Sequence, residues 1–431
     1  MTVQAIIDYL SSLPGVEYAE RDKRVLALGT PNDEFFDPYQ WNFLQLLMPS
    51  VWDMQTGSST IVVAVIDSGV DQTLSDFATT TFVPGYDFVN DDIDPTDDNG
   101  HGSHVAGTIA QSTNNSIGAA GMAYGVSIMP IKVLGADGSG LGSYVVNGIR
   151  WAADNGADVI NLSLGAAQSS QTELEAVQYA YEKGAVVVAA SGNGDTSVSY
   201  PAAYDDYVMA VGATKYDRDR APYSNYGPSL DVVAPGGYLF DALGRANDQN
   251  DDGYPDGILQ QTVGNDPDTP SDDLVSGYFF FEGTSMASPH VAALASLMLS
   301  RNPDLSPEEV YATIRNSADD LGYPGRDDLY GYGLINPTTA LNLQIYEVSA
   351  ALEDSVQRQH NTVDRWEVDA AGGTMQIDLT FAHSGGNLDL ALVDPAGTVV
   401  ATSETSTDNE SITHDAGSTP GTYVVEVRLT D

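Results

Sequence analysis

Between residues 61 and 300, uninterrupted apolar segments alternate with amphipathic ones, and this alternation limits the possible folds more than any other feature of the sequence. The apolar segments, which we predict to be buried strands, are 61–67, 126–133, 158–164, 185–190, 208–213 and 231–234. The predicted helices are 102–111, 143–155, 172–183 and 287–300. Strands that are apolar throughout are covered on both faces, so we predict an α/β fold with a doubly wound, mostly parallel sheet flanked by helices. Ligands bind such sheets at the carboxyl ends of the strands.

Two regions depart from this alternation. Residues 237–281 are rich in Asp, Gly and Pro, and we interpret them as a long polar insertion between a strand and a helix. Beyond about residue 347, short segments of alternating hydrophobicity at 374–381, 388–393, 398–402 and 422–429 are separated by turn residues. These segments predict a small C-terminal antiparallel β-sandwich.

The composition excludes several classes of function. The chain has 61 Asp or Glu against 16 Lys or Arg, a net charge of −45, which argues against nucleic acid or an anionic membrane as a partner. No apolar stretch reaches the roughly 18 residues of a membrane-spanning helix. The absence of cysteine excludes disulfides and thiol catalysis. The acidic surplus suits bound cations, high salt, or both.

Three segments carry residues suited to catalysis. Asp67 ends an apolar strand, His101 opens a helix of small residues, and Ser285 opens another helix. Taken singly, each has an ordinary explanation as a turn former, a helix cap or an N-cap. Together, an acid, an imidazole and a hydroxyl are the parts of nucleophilic acyl transfer, in which the imidazole removes the proton of the serine.

In this order and with these neighbours, residues 65–69, 99–108 and 283–290 closely resemble the subtilisin-like serine peptidases (the subtilase family, S8), above all their calcium-rich, thermitase-like branch. The resemblance spans about residues 30–343 and implies a subtilisin-like fold. It implies that Asp67 orients His101, that His101 is general base and then general acid, and that Ser285 is the nucleophile. It also implies that Asn193 donates to the oxyanion. Taken alone, an Asn between two glycines would indicate a left-handed turn, but its place beside the other three segments favours the oxyanion role.

The resemblance further implies how a substrate is held. Two chain segments would pair with an extended peptide as an added β-strand, which favours broad specificity. A pocket with small walls would take a large apolar or aromatic P1 side chain. The substrate-binding residues are thus Gly138, Ser139 and Gly140 on one edge, Ser163, Leu164 and Gly165 on the other, and Ala190, Ser191 and Gly192 as a further pocket wall.

Three acidic regions are candidate calcium sites, since Ca²⁺ prefers carboxylate, amide and carbonyl oxygens. The first two are implied by the thermitase-like resemblance, and the third repeats the opening of an EF-hand loop without its final Glu. A solvated acidic loop or an ordinary Asp-rich turn remains the alternative. We expect two to three or more structural Ca²⁺ ions and no organic cofactor. The expected ligands are, for the first site, Asp33, Asp76, Ser112, Asn115, Ile117 and Ala119; for the second, Asp87, Asn90, Asp92, Asp94 and Thr96; and for the third, Asp248, Asn250, Asp252, Tyr254 and Asp256.

The two ends of the chain suggest processing. Residues 1–28 resemble the last part of an inhibitory propeptide, and we expect self-cleavage between 26 and 30. Residues 29–343 would form the catalytic domain, and residues 347–431 resemble a bacterial pre-peptidase C-terminal (PPC) domain, either binding a substrate or surface or serving as a passive appendage. Residues 1–4 lack the features of a signal peptide, although we expect a secreted, extracellular monomer acting on proteins and peptides.

Three functions are compared on this basis. The first is a secreted, calcium-dependent serine endopeptidase; the second is a non-catalytic binding protein on the same fold; the third is a metal-binding storage protein. A complete set of Asp67, His101, Ser285 and Asn193 favours the first, because neither alternative requires it.

Overall fold

A computed structural model describes residues 30–241, 243–265, 274–342, 363–370, 374–380, 387–403, 409–415 and 421–430. The expected propeptide segment 1–28 lies outside these residues. Within the described residues, no helix has the length and apolar character needed to cross a membrane.

A central parallel sheet organises the larger part of the structure. Its strands lie in the order β2-β4-β1-β5-β6-β7-β8, and β3 pairs with β4 beside β2. The chain leaves β1 for one neighbour, β4, and then returns to the other side of β1 with β5, so the carboxyl end of β1 opens onto a crevice. The strands are β1 (Val62–Asp67), β2 (Thr81–Phe82), β3 (Tyr86–Asp87), β4 (Ser127–Lys132), β5 (Val159–Leu162), β6 (Val186–Ala190), β7 (Met209–Thr214) and β8 (Val232–Pro235).

Helices flank this sheet in two groups. Helices α4 and α7 pack against each other, as do α5 and α6. Helix α7 is buried along nearly all of its length and contacts β5 to β8, so it forms part of the core. The helices are α1 (Phe36–Tyr39), α2 (Trp41–Gln45), α3 (Met48–Trp52), α4 (His101–Ala110), α5 (Gly142–Asp154), α6 (Gln171–Glu182), α7 (Thr284–Arg301), α8 (Pro307–Ser317) and α9 (Pro337–Asn342).

The predicted α/β architecture is confirmed. Each of the six predicted strands is present, displaced at either end by two residues or fewer. Their side chains are almost all buried, as a sheet covered on both faces requires. Helix α7 begins three residues earlier than predicted, at Thr284, because the small polar residues of its first turn carry no apolar periodicity.

The interpretation of residues 237–281 as one polar insertion is wrong in its second half. Strands β9 (Ile258–Asn265) and β10 (Leu274–Phe281) form an antiparallel pair, and β9 packs against α4. Gln260 and Thr262 on β9 are fully buried, and each donates a hydrogen bond to a main-chain carbonyl. These bonds explain how a strand of polar sequence can be buried. The pair therefore supports the helix that begins at His101.

The described residues from 363 onward form antiparallel strands. One sheet has the order β11-β16-β13-β14 and the other pairs β12 with β15. Leu390, Leu392, Ile412, Tyr423 and Val425 are among its buried side chains. All four predicted strands are present, and two were missed, β11 and β15. The strands are β11 (Val363–Ala370), β12 (Thr374–Thr380), β13 (Asn387–Val393), β14 (Val399–Ser403), β15 (Asn409–Asp415) and β16 (Gly421–Thr430).

Candidate active site

The carboxylate at the end of β1 meets the imidazole at the start of α4. Asp67 is fully buried, and its Oδ1 lies 2.7 Å from His101 Nδ1. The same oxygen accepts a hydrogen bond from the Ser68 N–H at 2.7 Å. Because a carboxylate can only accept, the imidazole proton lies on Nδ1, and Nε2 is left free to act as a base.

Nearby carboxylates determine the pKa of the His101 imidazole. Burial alone lowers the pKa of His101, but the charge and hydrogen bond of Asp67, together with the charge of Asp97, more than offset this and raise the pKa. His104, one turn further along α4, behaves in the opposite way. Burial lowers the pKa of His104 to about 3, so this imidazole stays neutral.

A second buried acid, Asp97, fixes the start of α4. Its Oδ1 accepts from the Gly100 N–H at 2.9 Å and from the Ser68 hydroxyl at 2.8 Å, and its Oδ2 accepts from the Ser103 N–H at 2.8 Å. Gly100 has φ of 101°, and a Cβ there would lie 1.9 Å from the Val263 carbonyl oxygen. Asp97 was not among the residues predicted from the sequence, although an acid just before a predicted helix is the usual sign of a helix N-cap.

The serine at the start of α7 faces β5. Its Oγ donates to the Ser163 carbonyl at 3.2 Å, and the Ser163 hydroxyl donates to the Ser285 carbonyl at 2.8 Å. Asn161 connects the two elements further, donating to Ser163 Oγ at 3.0 Å and accepting from Ser288 at 2.8 Å. Within the described residues, Ser285 forms no hydrogen bond with His101. Asp67 and His101 are thus hydrogen-bonded to each other, while the Ser285 hydroxyl is hydrogen-bonded to the Ser163 carbonyl.

The amide of Asn193 is oriented by the residue before the serine. Its Oδ1 accepts from both the N–H and the hydroxyl of Thr284, each at 2.8 Å. The Thr284 hydroxyl in turn accepts from the Gly192 N–H at 3.1 Å. With Oδ1 occupied twice, Nδ2 is directed away and is available to donate.

A cleft of about 460 Å³ runs from His101 between two segments of chain. Six of the predicted substrate-binding residues line it: Gly138, Ser139, Gly140, Ser163, Leu164 and Gly165. The predicted pocket wall does not line this cavity; Ala190 and Ser191 are buried at the end of β6, and Gly192 contacts Thr284. The lining includes six further residues that were not predicted: Asn99, Leu134, Gly142, Val145, Ala166 and Glu173.

The first candidate calcium site brings distant acids together. Asp33 accepts from the Asn114 and Asn115 N–H groups at 2.9 and 3.3 Å, and Asp76 accepts from the Asn115 side chain at 2.7 Å and the Ala119 N–H at 2.8 Å. Burial raises the pKa of Asp76 to about 6, and the charge of Asp33 adds to the shift. Two buried acids held against the same loop carry negative charge that a cation could balance. The remaining predicted ligands, Ser112 and Ile117, lie on the same loop.

The second candidate site is a series of tight turns. Asp87 is buried and accepts from the Asn90 N–H and side chain, both at 2.9 Å. Asp92 accepts from the Asp94 N–H at 2.9 Å, and Asp94 accepts from the Thr96 hydroxyl at 2.6 Å. These bonds shape the loop but leave Asp92, Asp94 and Thr96 exposed.

The third candidate site contains a polar atom without a partner. Asp248 accepts from the Asp252 N–H at 3.1 Å, Asn250 donates to Asp252 at 2.8 Å, and Asp252 accepts from the Tyr254 N–H at 2.8 Å. Burial raises the pKa of Asp256 to about 6, with contributions from the charges of Asp248 and Asp252. Oδ1 of Asp256 is buried with no hydrogen bond, so a cation would satisfy it.

The three candidate calcium sites have few charged ligands close together. No three acidic or histidine side chains among the described residues form a ready cluster for a metal ion. Calcium in these loops would therefore depend on amide and carbonyl oxygens as much as on carboxylates, which agrees with its preference for mixed oxygen ligands.

Comparison with known proteins identifies the family of this chain. The subtilase family model matches residues 58–333, and the model of the bacterial pre-peptidase C-terminal domain matches residues 362–429. This chain is a member of the subtilase family. The subtilase segment contains Asp67, His101, Asn193 and Ser285.

Its relatives are named proteinases. The thermophilic serine proteinase of Bacillus sp. (strain AK1) is 41% identical over 341 residues, covering 79% of this chain and 76% of that protein. Thermitase from Thermoactinomyces vulgaris is 38% identical over 313 residues, covering 72% of this chain and 99% of thermitase. Among solved structures, a protease from Pseudoalteromonas arctica PAMC 21717 has a TM-score of 0.62 and 34% identity, covering 73% of this subtilase and 99% of that chain. The protein is accordingly a subtilisin-type serine peptidase.

Proposed function

We propose that this subtilase is a secreted, calcium-dependent serine endopeptidase of broad specificity that forms an acyl-enzyme at Ser285. The main support is the 2.7 Å contact between Asp67 and His101 at the mouth of a cleft whose edge residue, Ser163, also holds the Ser285 hydroxyl. Base, nucleophile and substrate groove are thus parts of one site. Large apolar P1 side chains are the preferred substrates in this proposal.

Acylation begins when the Ser285 hydroxyl turns from the Ser163 carbonyl to His101 Nε2. Ser285 Oγ then forms a bond to the scissile carbonyl carbon while its proton passes to Nε2. Buried Asp67 stabilises the imidazolium through Nδ1, and His101 next gives the proton to the leaving amine as the C–N bond breaks. Water repeats these steps in deacylation and releases the carboxylate product.

Two donors face the oxygen that becomes negative. One is Asn193 Nδ2, which is directed outward because Thr284 occupies Oδ1 twice. The other is the Ser285 N–H in the first turn of α7, where backbone donors lack partners within the helix. Both are in place before the reaction, which is what makes such donors effective.

The substrate backbone is held by the two edges of the cleft. An extended peptide would lie between residues 138–140 and 163–165 as an added strand, bound through main-chain groups that every peptide possesses. This mode of binding supports broad specificity, with proteins and peptides as substrates. The proposed P1 pocket shares residues 163–165 with the cleft, but its other wall, residues 190–192, does not line the cleft. In this proposal the small side chains at 190–192 would leave room for a bulky apolar group.

Calcium would be structural in this proposal. Unpartnered Asp256 Oδ1 and the paired buried acids Asp33 and Asp76 support it most strongly. Ions at these loops would hold segments on both sides of α4, which begins at His101. Chelation of the folded Ser285→Ala protein should lower its melting temperature, and restoring Ca²⁺ but not Mg²⁺ should reverse the change. An unaltered melting temperature would contradict calcium dependence.

Secretion, a monomeric state and inhibition by residues 1–28 are supported by the family alone. Inhibition followed by self-cleavage predicts that the N-terminus of active wild type lies between residues 26 and 30, whereas the N-terminus of inactive Ser285→Ala remains Met1. Intact-mass measurement of both proteins, each produced from the full chain, tests this. Wild type that is active and retains Met1 would contradict self-cleavage.

The central experiment is labelling with a sulfonyl fluoride. The reagent should modify Ser285 in wild type and abolish peptide hydrolysis, and Ser285→Ala should show neither modification nor hydrolysis. Ser288→Ala, which changes a serine one turn away on the same helix, is the matched control and should retain labelling at Ser285. Absence of both labelling and hydrolysis in folded wild type would overturn the proposal.

A further inference from the structure

Among the described residues that line the substrate cleft, Glu173 is the single acidic side chain. Apart from His101 and Glu173, its lining is polar or apolar but uncharged, including Leu134, Val145 and Ala166. Glu173 is only 8% exposed, so its carboxylate lies within the cleft wall and not on the outer surface. A buried carboxylate in a substrate groove is chemically unusual because desolvation is costly unless a partner is present.

The described residues supply only partial compensation for this charge. Tyr204 donates its hydroxyl to Glu173 Oε2 at 3.2 Å, and the same hydroxyl is shared with the Ser170 backbone at 2.8 Å. No Lys or Arg of the described residues forms an ion pair with Glu173. Burial raises the pKa of Glu173, and the Tyr204 bond only partly opposes the shift. Glu173 lies in the first turn of α6, where the helix dipole favours a negative charge.

The position of Glu173 relative to the scissile bond follows from the cleft edge that contacts Ser285. Ser163 contacts Ser285, and the chain then continues through Leu164 and Gly165 to Ala166, all lining the same cleft. Three steps of extended chain cover about 10 Å. A substrate paired with this edge would therefore reach the far end of the cleft with its third or fourth residue N-terminal to the scissile bond.

We propose that Glu173 is a specificity-determining residue that selects a basic side chain, Lys or Arg, at the third or fourth substrate position before the cleaved bond. This proposal rests on the peptidase function and adds a second determinant to the apolar P1 pocket. The aliphatic stem of the basic residue would pack on Leu134, Val145 and Ala166, and its cationic head would pair with the carboxylate. Such a pair is strengthened by the low dielectric of a covered groove.

The test uses fluorogenic peptides with Phe at P1 and with Arg, Lys, Leu, Gln or Glu in turn at P3 and at P4. For wild type, kcat/KM should be about tenfold or more higher for Arg than for Leu at one of these positions. Glu173→Gln should lose most of that preference, and Glu173→Leu should reverse it. Both variants should still be labelled at Ser285 by the sulfonyl fluoride and should unfold cooperatively, which shows that a lost preference does not come from misfolding.

Glu175→Gln is the matched control, because Glu175 lies on the same helix but is exposed and should leave the preference unchanged. Equal kcat/KM for Arg and Leu at both positions in wild type would overturn the proposal, as would a preference that persists in Glu173→Gln. Failure of wild type to cleave any of the peptides would instead count against the peptidase function itself. The two failures are thus distinguishable.

Discussion

At the reacting centre, one buried carboxylate determines how the imidazole behaves. Asp67 holds the proton of His101 on Nδ1 and raises its pKa against the opposing effect of burial. A base is useful only while it is unprotonated, so a raised pKa moves the onset of activity to higher pH. In the proposed mechanism, the same carboxylate would also stabilise the imidazolium.

We therefore predict that kcat/KM falls as the pH drops through the pKa of His101, with an inflection above the ordinary imidazole value of about 6.5. Asp67→Asn should lower kcat by about 10⁴-fold and move any residual inflection to lower pH, because the charge that raises the pKa is gone. A pH profile of kcat/KM on one peptide measures both. An inflection below that of free imidazole in wild type would contradict the assignment.

A second prediction concerns Asn193. Asn193→Ala should lower kcat by about 10²–10³-fold with little change in KM, because the lost donor acts on the transition state and not on the bound substrate. Thr284→Val keeps the amide but removes the hydroxyl that holds its oxygen, so it should cause a smaller loss. An Asn193→Ala protein with wild-type kcat would show that the residue is only a turn former.

At the scale of elements, the hairpin of β9 and β10 braces the helix that carries His101. His104 donates from Nε2 to the Ile258 carbonyl at 2.9 Å, with the Phe279 carbonyl at 3.2 Å, and its ring stacks on Phe281 with centroids 4.3 Å apart. Thr262 donates to the Gly100 carbonyl at the helix start. One side chain of α4 thus joins both strands of the hairpin.

His104→Ala should therefore lower the free energy of unfolding by about 1–3 kcal/mol, because it leaves buried carbonyls without a donor. Urea denaturation in the Ser285→Ala background, which prevents self-digestion, measures the change. His414→Ala, on a half-buried histidine in the C-terminal sheets, is a comparison that leaves α4 untouched. Unchanged stability of His104→Ala would show that the hairpin does not support α4.

The elements also show how far the sequence could predict the structure. Strand β1 was predicted to within one residue, since a strand covered on both faces is apolar throughout. Strand β9 was missed because its buried Gln260, Gln261 and Thr262 satisfy main-chain and side-chain partners far away in sequence. The position of Glu173 in the cleft was likewise hidden, because an acid in a helical segment normally faces solvent.

At the scale of the whole molecule, a net charge of −45 dominates the electrostatics. The acids at the candidate calcium sites are a minor share of the 61 Asp and Glu residues. Most of the negative charge therefore lies elsewhere on the surface, where like charges repel one another. Repulsion of this kind destabilises the compact state and is screened by salt. Stability should therefore depend on ionic strength even when every cation site is filled.

We predict that the melting temperature of Ser285→Ala, at saturating Ca²⁺, rises as NaCl increases from about 10 mM to about 1 M, over which the screening length falls from about 30 Å to about 3 Å. Differential scanning calorimetry gives the temperature at each concentration. The Ca²⁺ concentration is held constant so that only screening varies. A melting temperature that is constant or falls with NaCl would contradict a repulsive surface.

Neighbouring residues of β9 reach two places that the chemistry needs. Gln261 accepts from the Asp76 N–H at 2.7 Å, in the first candidate ion site, while the next residue, Thr262, contacts the Gly100 carbonyl beside His101. Tyr278 on β10 also reaches Asp76, at 3.3 Å. The loop around Asp76 and the start of the helix that carries His101 are therefore held by adjacent residues of one strand. We expect that loosening this loop would displace His101 and lower activity before the core unfolds.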